Sequence, residues 1–168
     1  MRKLDHKETD KAELVPPLYC WDFFSMHLNS LATEGNKQLE LAALRQYQNR
    51  HHWHVDLHEI LASPYEALVL TDAGICIEWV SSGFTKMTGY AKKEALGKSP
   101  AMLLQGENTT RMSKDRVRRK LSSHDAFSED LVNYRKCGEE YICRVEIHPL
   151  FNQKNELSHY LALEQEVK

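Results

Sequence analysis

The spacing of hydrophobic residues changes near Pro64 and divides the chain into two parts. Before Pro64, apolar residues recur at intervals of three and four, which predicts short helices over residues 23–31, 36–47 and 55–61. Asp22 is placed to cap the first helix, and Gly35 is placed to end it. The part before Pro64 is therefore predicted to be a helical extension.

This extension carries more apolar surface than short helices can bury by themselves. Trp21, Phe23 and Phe24 are three large aromatic side chains within four residues, where the first helix begins. In the second helix, the apolar face is marked by Leu39, Ala42, Ala43 and Gln46 or Tyr47, and the polar face by Asn36, Lys37, Glu40 and Arg45. We expect the extension either to cap the chain's own sheet or to pair with a second copy or a signalling partner.

After Pro64 the pattern becomes rich in β-forming residues. It predicts a hairpin turning at Asp72-Ala73-Gly74, and then, further along, three more strands. The expected strands are 67–72, 75–81, 127–135, 141–151 and 157–165. Between the second and third strands, glycines and a proline predict several short helices over 83–105, followed by one longer helix over Thr109–Ser122.

Length and composition fit one domain with an extension. The chain has 168 residues, 42% of them hydrophobic, which favours residues 64–168 as a globular domain and residues 1–63 as an N-terminal arm and helical extension. Pro16 and Pro17 end a polar arm that is predicted to be irregular. Four cysteines without a CxxC pair favour reduced thiols, and a cytoplasmic location is the default expectation.

Charge and hydropathy argue against two classes of partner. The formal net charge of −2 gives no basic surface for a nucleic-acid backbone. Apolar runs reach only four residues, as at Ala67–Leu70, far short of the roughly 20 that cross a bilayer. We expect neither nucleic acid nor membrane as a partner.

Several segments of the second part resemble PAS domains of the LOV-like branch. They are GFTKMTGY at 83–90, EALGK at 94–98, SPAMLLQG at 99–106 and LVNYRK at 131–136. The resemblance implies an α+β PAS fold, with a five-stranded antiparallel sheet, short helices on one face that enclose a small pocket, and a sensory or signalling role. The N-terminal helical extension lies outside the resemblance.

The resemblance also implies which residues would contact a flavin. LOV photoreceptors form a thiol adduct with the flavin, but Ser99, Pro100 and Ala101 stand where their reactive cysteine and its neighbours would be, and no cysteine occurs between Cys76 and Cys137. Light-driven cysteinyl-flavin chemistry is therefore not expected.

Among the polar residues that hold the flavin in that family, Gln105 and Asn133 match, while Cys143 and Glu164 replace an asparagine and a glutamine. Arg111, Lys114 and Arg116 are the candidates to replace a missing phosphate-binding arginine. We expect no cofactor, with FMN or another planar ligand held by Gln105 and Asn133 as the alternative.

Two further clusters are assigned to the surface. His51, His52, His54 and His58 are close in sequence, and His54 and His58 would share a face if a helix ran through both, but surface histidines are favoured over a metal site. The basic residues of 111–120 are expected to form a solvated helix face. The chain lacks GxSxG, Walker-type, HExxH and kinase motifs, so we expect no enzyme.

Overall fold

The structure, a computed structural model, describes residues 18–167. The predicted irregular arm lies outside them, as do the side chains of Trp21, Phe23 and Phe24. The helices are α1 (Leu18–His51), α2 (Leu57–Ile60), α3 (Ser82–Thr88), α4 (Lys92–Ala95), α5 (Pro100–Leu104) and α6 (Arg111–Ser123). The strands are β1 (Ala67–Asp72), β2 (Ile77–Val80), β3 (Phe127–Tyr134), β4 (Glu140–Phe151) and β5 (Leu157–Glu166).

The five strands form one antiparallel sheet in the order β2-β1-β5-β4-β3, which confirms the predicted fold class. Strand β2 begins two residues later than predicted because the turn is longer. The amide of Ile75 donates to the carbonyl of Asp72 (3.1 Å), and Ile75 itself has a left-handed φ of 65°. The Asp72 carboxylate accepts from the amide of Cys76 (2.8 Å), which completes the turn.

The prediction of two separate helices before residue 50 is wrong, because α1 is continuous through Gly35. A single glycine costs a helix only about 1 kcal/mol relative to alanine. No proline occurs between Gly35 and the end of α1 at His51, so nothing there prevents the helix from continuing. The third predicted helix is present as α2, shortened to 57–60 and capped by the Asp56 carboxylate, which accepts from the amide of His58 (2.8 Å).

The predicted apolar face of the second helical segment is also wrong. Leu39 is 71% exposed, whereas Leu41 and Leu44 are buried. Glu40, predicted to be on the polar face, is buried and accepts a hydrogen bond from the hydroxyl of Tyr65 (3.1 Å). Packing against the sheet, rather than the helix's own pattern, decides which face is covered.

Both faces of the sheet are covered by apolar packing. On the inner face, α3 to α5 cover a core that includes Val69, Phe84 and Val145. On the outer face, Leu41 and Leu44 of α1 pack with the residues Trp53, Leu57, Leu68, Leu70, Leu150, Leu161 and Leu163. The described residues divide into two compact units between Lys37 and Gln38.

Side-chain caps and a glycine set the ends of two inner-face helices. Ser81 caps α3, and Gly89 ends it with a left-handed φ of 78°. Thr110 caps α6, its hydroxyl accepting from the amide of Ser113 (3.2 Å), so the helix begins two residues after the predicted start at Thr109. Within residues 18–167, no helix is both long enough and apolar enough to cross a membrane.

Candidate functional site

A cavity of about 310 Å³ lies between the inner face of the sheet and helices α5 and α6. This volume falls at the lower end of the ~300–1,000 Å³ typical of small-molecule pockets. Its walls are mainly apolar, formed by residues such as Val69, Leu104, Val117, Leu121, Leu131, Val145, Ile147 and Ala162. A small set of polar side chains interrupts them: Thr71, Ser99, Gln105, Lys114, Arg118, Asn133, Tyr160 and Glu164.

Both residues predicted as ligand contacts line this cavity. Gln105 follows α5 in an extended backbone conformation and is half-buried. Asn133 lies on β3, pairs with Tyr141 of β4, and is 3% exposed. The structure therefore brings the two amides into one cavity, and ligand binding by them stays a prediction.

The most unusual group in the cavity is the carboxylate of Glu164. Glu164 lies on β5 between Ala67 of β1 and Val145 of β4, and only 3% of its surface is exposed. Its Oε2 has no hydrogen-bond partner among the described residues. Burial alone raises the pKa of Glu164 to about 7, because a charged carboxylate loses its hydration there.

A second unpartnered polar atom lines the same cavity. The Oγ1 of Thr71, on β1, is buried and also finds no partner within the described part of the chain. Buried polar groups are nearly always hydrogen-bonded, and each exception points to an unseen partner or to a function. Together, Thr71 and Glu164 give the apolar cavity two points at which a ligand or water could be held.

The three residues that the resemblance aligns with the LOV cysteine segment also reach the cavity. Ser99, Pro100 and Ala101 line it at the start of α5. Among the described cysteines, Cys143 is the buried one; it belongs to the inner-face core, and burial raises the pKa of its thiol. A raised pKa disfavours the reactive thiolate.

The candidate replacements for a phosphate-binding arginine are separated by the structure. Lys114 lines the cavity, together with Arg118. Arg116 is instead held by the carboxylate of Glu129 at 2.6 Å, and Arg111 lies at the surface with an exposed side chain. Only part of the basic run is thus a solvated face, because Arg116 and Lys120 share Glu129.

The predicted pairing of His54 and His58 on one helix does not occur. Helix α2 begins at Leu57, so His54 lies before it, and the His58 ring contacts Arg45 at 2.7 Å. His51 instead lies at the end of α1. Its ring contacts the ring of His159 on β5 edge to face, with the two ring centroids 4.4 Å apart. Sequence spacing gave no signal for this contact between distant residues.

Comparison with known proteins places these features in a family. Residues 66–167 match the PAS domain family. Among curated proteins, the chain is 30% identical over 101 residues to a nitrogen fixation regulatory protein of Klebsiella oxytoca, and 30% identical over 112 residues to a blue-light photoreceptor of Listeria monocytogenes. These alignments cover 60% and 61% of the chain but only 20% and 44% of the relatives.

A potassium channel shows the same partial likeness. The voltage-gated inwardly rectifying potassium channel KCNH3 of Homo sapiens is 27% identical over 92 residues, which is 54% of this chain and 8% of the channel. The chain thus spans less than half of the length of each of these relatives.

Solved structures agree with the sequence matches. The dark structure of the blue-light photoreceptor Aureochrome1 LOV has a TM-score of 0.63 and 26% identity, and it covers 68% of this chain and 84% of that chain. The structure of a light-oxygen-voltage domain has a TM-score of 0.61 and 29% identity, over 68% of this chain and 87% of that one. The expected resemblance to the LOV-like branch is confirmed.

Proposed function

The chain belongs to the PAS domain family, and on that premise we propose that it is a sensory or signalling module that acts by protein association, through a homodimer formed by α1, and not by catalysis. Its relatives include a nitrogen fixation regulatory protein and a blue-light photoreceptor, which supports a regulatory role. No light-driven cysteinyl-flavin step is part of this proposal. The proposal includes a cytoplasmic location. The three described cysteines are all free thiols, which fits a reducing compartment.

The observation that carries the proposal is the exposed apolar surface of α1. Leu39 is 71% exposed, although Leu41 and Leu44 in the same helix are buried against the sheet. In the smaller unit, residues 18–37 are helical throughout, and Leu28 is 49% exposed. A single helix in water is only marginally stable and depends on packing of its apolar side chains.

A second copy of the chain would supply that packing. The aromatic residues Trp21, Phe23 and Phe24 belong to the same helix and add to the apolar content of its first turns. Homo-oligomers with two-fold symmetry are the commonest assemblies, and they bury the same surface of both subunits. We therefore favour a second copy over an unrelated partner.

The packing of α1 suggests how a signal would reach the dimer. Leu41 and Leu44 share one core cluster with Leu68, Leu161 and Leu163 of the sheet. The same two strands, β1 and β5, also carry Thr71 and Glu164, which line the cavity. A change in the cavity that shifts these strands would alter the seat of α1, and hence the dimer.

The test is the mass of the natively purified chain in solution. Sedimentation equilibrium over a range of concentrations should give twice the 19.5 kDa chain mass. A mass of 19.5 kDa at every concentration would refute the homodimer. In that case a complex with another protein would be the form of the proposal still to be tested.

A second candidate function is ligand sensing, and Glu164 favours it. A buried carboxylate oxygen without a partner among the described residues, in a mainly apolar cavity, suits a ligand with an apolar body and a hydrogen-bond donor. FMN or another planar molecule is one candidate, with Gln105 and Asn133 to orient it.

This alternative is tested by the absorption spectrum of the native protein and by mass spectrometry of whatever it releases on denaturation. Release of about one small molecule per chain would support it, provided that Gln105→Ala releases less and the exposed control Gln153→Ala releases as much as the parent. A colourless protein that releases nothing would refute it.

A further inference from the structure

Three residues with metal-binding side chains meet on the outer face of the sheet, away from the cavity. They are His51 at the end of α1, Glu78 on β2 and His159 on β5. One potential ligand atom from each lies within 4.8 Å of the other two. We propose that these three side chains bind one divalent transition-metal ion, with Zn²⁺ as the best match.

The donor set fits that class of ion. Two imidazoles with one carboxylate form a common three-ligand set for Zn²⁺, with the fourth position left to water. Hard ions such as Mg²⁺ and Ca²⁺ prefer sites made of oxygen atoms only, so they match this set poorly. The three ligands come from three elements, and tertiary packing holds them close.

The surroundings of His159 orient its ring for such a role. Its Nδ1 lies 2.6 Å from the hydroxyl oxygen of Ser158, and this oxygen accepts a hydrogen bond from the indole N–H of Trp53 (3.3 Å). The Ser158 oxygen has a second lone pair, so it is able to accept from Nδ1–H as well. In that tautomer Nε2 carries the lone pair, and it faces the Glu78 carboxylate at 3.2 Å.

Hydrogen bonds of this kind to the far nitrogen of a histidine are a usual part of metal sites. They fix the tautomer and the ring orientation. The ring is further held by Trp53, whose centroid lies 5.0 Å away in an edge-to-face arrangement. His159 is 3% exposed, so little freedom is left to it.

The other two ligands are positioned by the seat of α1. The hydroxyl of Tyr47, one turn before His51, donates to the backbone carbonyl of Glu78 (3.3 Å). This bond ties the end of α1 to β2 at the residue that supplies the carboxylate. His51 and Glu78 are both partly exposed, so an ion can enter from solvent and water can complete its coordination.

A bound ion would join the last turn of α1 to two strands of the sheet. The ion would therefore hold α1 against the sheet in a metal-dependent way. This is the same helix that we propose forms the dimer contact. The metal site itself does not depend on dimerisation, and binding to a monomeric chain would still support it. The two proposals therefore fail separately.

The experiment is zinc titration of the untagged, chelator-treated full chain by isothermal titration calorimetry. We expect the titration to give one Zn²⁺ per chain. We also expect thermal unfolding to show a higher melting temperature with Zn²⁺ than without it. His51→Gln and Glu78→Gln should each weaken binding at least about tenfold, since each removes a direct ligand and even outer-shell losses cost that much. Both residues are partly exposed, so circular dichroism should show that the variants fold.

His54→Gln is the matched control, because His54 is exposed and close in sequence but outside the group of three. It should bind Zn²⁺ as the parent does. Co²⁺ in place of Zn²⁺ should give a visible absorption band that His51→Gln loses. The proposal is overturned if the parent chain binds no Zn²⁺, or if His51→Gln binds it unchanged.

Discussion

The backbone of Gly83 packs directly against the carbonyl oxygen of Glu66, at the point where α3 meets the start of β1. A Cβ atom added at Gly83 would lie 1.8 Å from that oxygen and 2.9 Å from its carbon. The side chain is therefore absent for a steric reason. This contact places the start of the GFTKMTGY segment against the start of β1, next to Phe84 of the inner-face core.

Replacing Gly83 by alanine should destabilise the protein, because the backbone on both sides would have to move. Overpacking of this kind typically costs about 1–3 kcal/mol. Chemical denaturation followed by circular dichroism gives the free energy of unfolding. Gly35→Ala is the control, since Gly35 is helical and, apart from the helix's own backbone, no atom of the described residues lies within 4 Å of its added Cβ; it should be neutral or stabilising. Equal stability of Gly83→Ala and the parent would contradict the packing described here.

Leu44 and Leu39 test how α1 is seated on the sheet. Leu44 is fully buried in the outer-face core, and Leu39 is 71% exposed. Leu44→Ala should lower the free energy of unfolding by about 2–5 kcal/mol, as buried leucines do. Leu39→Ala, measured at concentrations that favour the monomer, should change it by less than about 0.5 kcal/mol. If the two costs were similar, the assigned buried face of α1 would be wrong.

Arg135 links α3, β4 and β5 and provides a third test of the fold. Its guanidinium donates to the Met87 carbonyl of α3 and to Glu166 of β5 (2.8 Å), and it lies over the ring of Tyr141 at 4.5 Å. Arg135→Lys should lose much of this bridge, because an ammonium cannot reproduce a planar fork. We expect a loss of roughly 1–3 kcal/mol in thermal or chemical unfolding.

Arg111→Lys provides the comparison, since the Arg111 side chain is 96% exposed and its ion pair with Asp115 is long (3.9 Å). It should leave stability unchanged. An Arg135→Lys variant as stable as Arg111→Lys would show that the bridge contributes nothing measurable.

Glu164 should make stability depend on pH in a way that a single substitution removes. Its folded-state pKa, raised to about 7, lies above the ordinary value of 4.5, so the folded state binds the proton more tightly than the unfolded state. The loss of stability caused by ionising the buried carboxylate is absent below about pH 4.5, grows as the pH rises, and is complete above about pH 7. A pKa shift of this size corresponds to roughly 3 kcal/mol in the free energy of unfolding.

Glu164→Gln should therefore be more stable than the parent at pH 8, by up to roughly 3 kcal/mol, and the difference should shrink towards pH 5. Urea denaturation at several pH values measures it. Glu107→Gln removes an exposed carboxylate and should show no such pH-dependent gain. A constant difference between Glu164→Gln and the parent across this range would mean that the carboxylate does not titrate as described.

The sequence was sufficient for the sheet and much less so for the extension. Alternating residues and turn-forming segments such as Asp72-Ala73-Gly74 predicted all five strands, because each signal is local. Gly35 is equally local, yet it misled, since a glycine at a helix end and a glycine inside a helix look alike in sequence. Whether a helix continues past such a glycine depends on the residues after it and on tertiary packing.

The candidate sites show the same limit. The family resemblance pointed to Gln105 and Asn133 as ligand contacts, and both line the cavity. Glu164 also lines the cavity, although the resemblance gave it only as a replacement for a glutamine of the family. The resemblance did not indicate that the Glu164 carboxylate would be buried without a partner among the described residues, a result of the strands on both sides of it. His51 and His159 meet only because α1 packs across the sheet, and no spacing rule anticipates that contact.

The proposal that α1 carries the dimer contact is tested most directly by sedimentation equilibrium of one pair of variants. Leu39→Glu places a charge on the exposed apolar side of α1, and Met112→Glu does the same at a methionine of α6 that is 67% exposed. We predict that the parent and Met112→Glu sediment as dimers of the 19.5 kDa chain, whereas Leu39→Glu sediments as a folded monomer. A dimer that persists unchanged in Leu39→Glu would contradict the assignment of the interface to this part of α1.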